Sequence, residues 1–307
     1  MKLYSIENVK LKNIDPHDFK LERDIQKIVE NNLEELFNLK FVKSEFSIKN
    51  FRIDTLTYDE ENKSFVIVEY KKDKNYSVID QGYTYMSLLL NNKSDFVLEF
   101  NECCRESLKR SDIDWSQSRV IFISPQFTEF QKHSINFKDV PFELWEINRY
   151  KNNLIGLVQH KTTSQESVST ISTEANNVVN QVAKEIKVYT EEYHLTQNRK
   201  VAQDIIELYE EVKQKILTLD GIGVAPRKLY ISFQKNSKPI CHIVIFSNQL
   251  NFVINMKKGE LYDPYKLTKD LSEQGHWGVG DYQVKIKDNT ELDKVMLLIK
   301  QSYEKQR

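Results

Sequence analysis

The sequence predicts an α/β (α+β) protein: a mixed β-sheet core flanked by helices, followed by a smaller C-terminal α+β domain. Three observations carry that prediction. Strand-length runs rich in Val, Ile, Phe and Tyr alternate with segments of helical apolar period. A Ser/Thr-rich stretch poor in large apolar residues, 161–177, interrupts this order. The chain has 307 residues, more than most single cores support. The expected organisation is therefore a first domain at 1–160, a linker with a connecting helix at 161–195, and a second domain at 196–307.

Taken in order, Leu21 to Leu39 places Ile25, Ile28, Val29, Leu33, Leu36 and Phe37 at helical spacing, behind a turn at Asp15-Pro16. Glu45–Tyr58 and Ser64–Lys71 are strand candidates, separated by the polar turn Asp59-Glu60-Glu61-Asn62-Lys63. A helix near Ser77–Leu90, a strand at Phe96–Phe100 and a helix around Cys103–Arg110 follow. The strand Arg119–Ser124, a helix at Thr128–Phe137 and a strand at Phe142–Tyr150 complete the first domain. Beyond the linker, Val178–Val188 and Asn198–Leu219 are predicted helices, the second closed by Gly221, Gly223 and Pro226. Strands at Lys228–Gln234, Ile240–Phe246, Asn251–Asn255 and Tyr282–Ile286 and a helix at Thr290–Glu304 finish the chain.

Basic and acidic residues nearly balance, 44 against 45. That excludes a strongly basic nucleic-acid coat, so any nucleic-acid site must be a local groove. The apolar runs are too short to cross a bilayer, and the N-terminus lacks the pattern of a secretion signal. Cys103, Cys104 and Cys241 have neither zinc-ligand spacing nor disulfide logic. The adjacent pair is expected to be buried thiols, and the setting a reducing cytoplasm.

The chemistry is carried by the hairpin. The midpoint between Asp54 and Glu69 falls in the predicted turn, so antiparallel pairing sets them opposite each other, with facing β-carbons about 5 Å apart. Side chains alternate along a strand, so Glu69 and Lys71 share a face. Two apposed carboxylates repel unless a cation lies between them. A hard ion, Mg²⁺ or Mn²⁺, suits such oxygen ligands. With Lys71 alongside, the set has what phosphodiester hydrolysis needs: a metal bridge, an oriented water and charge neutralisation.

Arg52-Ile53-Asp54 followed by Ile67-Val68-Glu69-Tyr70-Lys71 resembles the signature of the PD-(D/E)XK nuclease superfamily, with Ile53 in place of the usual Pro. Gln81-Gly82-Tyr83-Thr84-Tyr85 is similar to the QxxxY motif of its RecB-like members. The resemblance, over about residues 15–150, implies a restriction-endonuclease-like sheet. It also implies metal binding by Asp54 and Glu69, assistance from Lys71, and contact of Gln81 and Tyr85 with the active centre or the nucleic-acid backbone. By spacing alone, Gln81 and Tyr85 are i, i+4 neighbours on one helical face. The family also places an acidic residue on its first helix near the metal. Leu21-Glu22-Arg23-Asp24-Ile25-Gln26 resembles that helix start, making Glu22 the preferred third ligand and Glu30 the second choice.

Arg52, Lys72 and Lys74 are expected to hold the phosphate backbone, within a groove to which Lys40, Lys43, Lys49, Arg105, Lys109 and Arg110 could add. The expected partner is nucleic acid, DNA in preference to RNA, with no membrane and with a homodimer allowed. The alternative is the same fold gripping nucleic acid or a protein without cutting. A third reading has the C-terminal domain carry the function. That domain resembles a small family of unknown function that has been labelled a predicted transport protein, through Gly275-His276-Trp277-Gly278-Val279-Gly280-Asp281-Tyr282 and the final helix. The absence of a membrane segment gives the transport label no support.

Overall fold

The computed structural model describes residues 2–72, 78–137, 139–162, 164, 166–167, 177–274 and 279–306. The chain divides into two compact units, one comprising Met1–Glu35 and Leu39–Val188, the other Leu36–Asn38 and Tyr189–Arg307.

The first unit opens with a separate two-stranded hairpin, β1 (Leu3–Glu7) and β2 (Lys10–Ile14). Next come helices α1 (Glu22–Glu30) and α2 (Leu33–Phe37), where one longer helix is expected from the apolar period. Strands β3 (Lys40–Ile48), β4 (Phe51–Asp59) and β5 (Ser64–Tyr70) form an antiparallel meander. The single strand expected from Glu45 is in fact a hairpin, because the chain turns at Lys49, whose φ is 52°. Helices α3 (Val78–Asn91) and α4 (Lys93–Cys104) precede β6 (Arg119–Ser124), and α5 (Glu129–Ser134) precedes β7 (Phe142–Tyr150). β8 (Leu154–His160) and α6 (Asn177–Glu185) close the unit.

The sheet order is β3-β4-β5-β6-β7-β8, with β5, β6 and β7 parallel and β8 antiparallel to β7. The expected mixed sheet flanked by helices is therefore present. All seven residues of β5 are buried, as befits a central strand covered on both faces. Alternation directs Phe65 and Ile67 toward α3 and α4, and Val66 and Val68 toward the α1 face.

Phe96–Phe100 is helix, not strand. Phe96 and Phe100 are four apart and both buried, so they line one helical stripe. Cys103, expected to be buried, is exposed at the end of that helix. α6 is not a free connector: Val182 and Ile186 are buried in the core formed by α3, α4 and the sheet.

Asp59 fixes the β4–β5 turn. Its carboxylate accepts from the Asn62 backbone N–H at 2.9 Å and from Asn62 Nδ2 at 2.6 Å, a local bond that competes with extended structure. The same carboxylate accepts from Arg119 Nη1 at 2.9 Å, while Arg119 Nε donates to Glu143 at 2.7 Å. Glu143 also accepts from Trp145 Nε1 and Gln159 Nε2.

In the second unit, α7 (Gln203–Leu217) leads into β9 (Ile222–Pro226), β10 (Ile231–Lys235), β11 (Lys238–Ile245) and β12 (Leu250–Ile254). β13 (Lys269–Asp270), β14 (Tyr282–Ile286) and α8 (Leu292–Lys305) follow. The sheet is antiparallel throughout, in the order β13-β14-β12-β11-β10-β9. Ile231, Phe233, Ile243, Phe252 and Val284 share the face packed by α7 and α8. Gly223 and Pro226, expected as helix stops, form part of β9. Gly280 has φ 117°, and a Cβ there would lie 2.1 Å from the Ile254 carbonyl, so the chain crosses the end of β12 only as glycine. Of the motif around it, residues 275–278 lie outside the described residues. His242 is buried beside Tyr230 and accepts from the Val279 N–H at 3.0 Å, a structural role.

Candidate active site

The Asp59–Asn62 turn sets the β4–β5 register, which runs from Asp59↔Ser64 to Thr55↔Val68. The pairing ends there, and Asp54 and Glu69 are the next residues on the two strands, their carboxylates close enough to interact through charge. The site thus lies at the C-terminal end of β5, beside the parallel strand β6. This is the edge at which ligands bind in open α/β sheets.

Glu69 is 3% exposed. Its Oε1 accepts from Lys71 Nζ at 2.7 Å and from Gln81 Nε2 at 2.6 Å. Its Oε2 is buried and has no hydrogen-bond partner among the described residues. Asp54 Oδ2 accepts from the Tyr70 N–H at 3.0 Å, and the Asp54 carbonyl accepts from Gln26 Nε2 at 3.2 Å. Burial, and then the Glu69 carboxylate, push the Asp54 carboxyl up to about 7, against the opposing pull of the Tyr70 N–H and Lys71. Lys71 is also buried, and its backbone N–H donates to the Ile123 carbonyl at 2.9 Å. Strand pairing therefore aims the lysine as well as the acids.

Helix α3 supplies the lateral support. Gln81 Nε2 donates to the Tyr85 hydroxyl at 2.9 Å, and that hydroxyl donates to the Arg52 carbonyl at 3.2 Å. The helix can approach this closely because residue 82 is glycine: a Cβ there would lie 2.7 Å from the Phe142 ring. Tyr85 is buried, and its hydroxyl sits in a low-dielectric place beside Glu69 that drives its pKa upward. Gln81 and Tyr85 are positioning groups here. Of the two expected contacts for Gln81 and Tyr85, the active centre or the nucleic-acid backbone, the hydrogen bonds fit the first.

Glu22, the first residue of α1, accepts from the Lys72 N–H at 3.0 Å and raises the Asp54 pKa slightly through its charge. Among the described residues no group of three or more Asp, Glu, His or Cys side chains is placed to hold a metal. Glu22 therefore does not complete a three-acid cluster with Asp54 and Glu69. Glu30 is excluded for a different reason. It accepts from Thr55 Oγ1 at 2.6 Å and from Gln26 at 3.0 Å, and Thr55 is bonded to the Tyr70 hydroxyl, all on the opposite face of the sheet. Sequence reasoning missed this second polar layer. Its signal was the Gln26/Glu30 spacing together with a Thr next to Asp54.

Three cations of the expected basic groove are neutralised. Arg52 pairs with Glu45 at 2.7 Å and Lys43 with Glu99 at 2.9 Å, while Lys40 pairs with Glu60 and Glu106. Lys72 is exposed at the rim of the site, and Lys74 lies outside the described residues.

An uncharacterized protein of Haemophilus influenzae is 46% identical over 304 residues, covering 98% of this chain and 99% of that one. This chain belongs to the same family. Residues 195–306 of the family member described here match the model of a domain of unknown function, DUF5655. Two solved structures are similar over 39% of the chain, each with 17% identity and a TM-score of 0.23. One is a repair endonuclease from Pyrococcus abyssi, covered over 45% of its length; the other is EndoMS in complex with double-stranded DNA, covered over 44%. The chain thus matches less than half of either, and a likeness of that size carries no argument about its chemistry. Among the described residues no helix is long and apolar enough to cross a membrane.

Proposed function

We propose that the first unit is a divalent-metal-dependent nuclease of the PD-(D/E)XK type that hydrolyses DNA phosphodiesters, with Asp54, Glu69 and Lys71 as its catalytic residues. One observation carries the reading: two carboxylates lie beside a buried lysine, one with a buried oxygen that has no donor among the described residues and the other pushed up to about 7. A buried acceptor without a donor is costly, and so is a second negative charge beside the first. A cation held by Asp54 and Glu69 relieves both.

The donor set, two hard carboxylate oxygens, fits Mg²⁺ or Mn²⁺. Such an ion supplies Lewis-acid polarisation of the phosphodiester and a more acidic bound water. The chain's own groups do the rest. The Tyr70 N–H fixes one Asp54 oxygen, and Gln81 fixes one Glu69 oxygen, so neither acid has to reorganise. Lys71 Nζ, held on the same Glu69 oxygen, keeps a positive charge beside the acids, where it would steady a bound phosphate oxygen. A lysine here neutralises charge that develops in the transition state without adding a third carboxylate.

The test is incubation of the purified chain with linear, circular and single-stranded DNA and with RNA, each with Mg²⁺, Mn²⁺ or EDTA. Asp54→Ala and Lys71→Ala proteins are run in parallel. Metal-dependent cleavage of DNA that both substitutions abolish is the expected result. Cleavage that neither substitution alters, or no cleavage of any substrate, would overturn the reading; the latter would favour a binding module of the same fold.

A further inference from the structure

Of the cations expected from sequence to grip the substrate, Arg52, Lys40 and Lys43 are held by carboxylates, whereas Lys72 and a set of cations near it are not. Two adjoining clefts of 210 and 260 Å³ share His17, Asp18 and Arg149. The first runs past Lys72 and Pro125, at the ends of β5 and β6 next to Lys71. The second continues past Lys20, Lys27 and the start of α1. The segment that forms the shared wall is fixed to the sheet: His17 N–H donates to the Arg149 carbonyl at 2.8 Å, and Lys151 N–H donates to the Asp15 carbonyl at 3.0 Å.

Among the described residues, Lys20, Lys27, Lys72 and Arg149 have no carboxylate within ion-pairing distance, although Arg149 is half-buried. Two acids also line the clefts, and one of them, Asp24, is engaged with the Leu21 N–H at 3.1 Å. The clefts therefore carry a surplus of positive charge on a chain whose net charge is −1.

On this basis, and resting on the nuclease reading above, we infer that this double cleft is the track for the DNA backbone leading to the active centre. The phosphate next to the scissile one lies against Lys72 and Arg149, and the strand continues over His17, Lys20 and Lys27. The chemistry fits. A partly buried guanidinium gives bidentate, oriented phosphate recognition, and exposed lysines add sequence-independent attraction. Neutralising phosphates also releases counterions, so the track has a signature in salt dependence.

The experiment measures anisotropy of a labelled DNA duplex, and of one of its strands, across a salt series in EDTA, where cleavage does not interfere. The proteins are the unaltered chain, Arg149→Ala, Arg149→Lys, Lys20→Ala/Lys27→Ala, and Lys215→Ala as a control whose ammonium is paired with Asp293. Arg149→Ala and the double lysine variant are each expected to lose roughly tenfold in affinity at low salt. The double variant is also expected to lower the log–log salt slope by roughly 1 to 2. Arg149→Lys should recover part of the loss, and Lys215→Ala should match the unaltered chain. Because Lys20 and Lys27 are exposed, their variant remains informative even if Arg149→Ala misfolds.

Unchanged affinity and slope in the double lysine variant and in a folded Arg149 variant, with the unaltered chain still cutting DNA, would overturn the track and leave the nuclease reading standing. An unaltered chain that neither binds nor cuts DNA would overturn both. Cleft-dependent binding of RNA but not DNA would overturn the choice of ligand.

Discussion

Strands β4 and β5 share in two charged clusters, one toward each end, and the clusters are opposites in electrostatic design. At the end where β6 and β7 begin, Arg119 sits between Asp59 and Glu143, and the carboxylates are further tied by Asn62, Trp145 and Gln159. That cluster brings its own cation and satisfies it with hydrogen bonds, as a buried charge needs. At the other end, among the described residues, Asp54 and Glu69 share one lysine, one oxygen has no donor, and one carboxyl is pushed up to about 7. The first cluster is complete as folded. The second leaves a carboxyl whose pKa folding pushes upward, the feature on which the nuclease proposal rests.

The contrast can be broken by substitution. The largest expected effect is on activity: Glu69→Ala or Lys71→Ala should lower cleavage by on the order of 10²–10³-fold or more, measured as initial rates on DNA. Neither should cost the fold as much as disturbing the other cluster. Arg119→Ala leaves two carboxylates without their cation and should destabilise the first unit by on the order of 3 kcal/mol, measured by urea denaturation. If Lys71→Ala destabilised the protein as much as Arg119→Ala, the two clusters would be the same kind of object.

A pH series sharpens the comparison. The Asp54 pKa is raised by folding, from an ordinary 3.8 to about 7. The folded protein then binds that proton more tightly than the unfolded chain. The resulting stability is fully present below about pH 4 and is lost as pH rises through about 7. Asp54→Asn, which keeps an oxygen for the Tyr70 N–H, should therefore raise the melting temperature more at pH 8 than at pH 5. Mg²⁺ or Mn²⁺ should raise the melting temperature of the unaltered chain at pH 8 and leave Asp54→Asn nearly unmoved, because an ion that binds only the native state stabilises it. A melting curve for Asp54→Asn that tracks the unaltered chain at every pH would show that the acid is not strained by folding.

The smallest effect concerns Tyr85. Tyr85→Phe removes the hydroxyl link between Gln81 and the Arg52 carbonyl and should cost about 1 kcal/mol. It should slow cleavage modestly while leaving DNA affinity unchanged. A loss of affinity instead would restore Tyr85 as a substrate contact.

The site was legible in the sequence where local rules govern. A polar turn beginning with Asp59 fixes a hairpin register as far as Thr55↔Val68, which brings the candidate residues Asp54 and Glu69 to the ends of adjacent strands. Where burial decides, the reading failed. Phe96 and Phe100 satisfy a helix as well as a short apolar strand, and only the core they enter distinguishes the two. The turn at Lys49 carries no Gly or Pro to announce it, and Gly156 inside β8 weakens that strand's signal. Charge pairing was the least legible. Whether Arg52 or Arg149 keeps a free guanidinium depends on which acids the fold brings alongside, and Glu45 answers that for Arg52 only once β3 has turned back on β4.

The bond from the Lys71 amide to Ile123 has a kinetic meaning. The acid pair belongs to a hairpin closed by a short turn, a local structure that can form early. The lysine is fixed only when β6, far along the chain, docks in parallel against β5, a non-local pairing that is slow to form. A nascent chain ending before β6 would hold both acids without a fixed lysine. On the proposed nuclease reading, hydrolytic competence would arrive as a late event, when the first unit has already acquired most of its sheet.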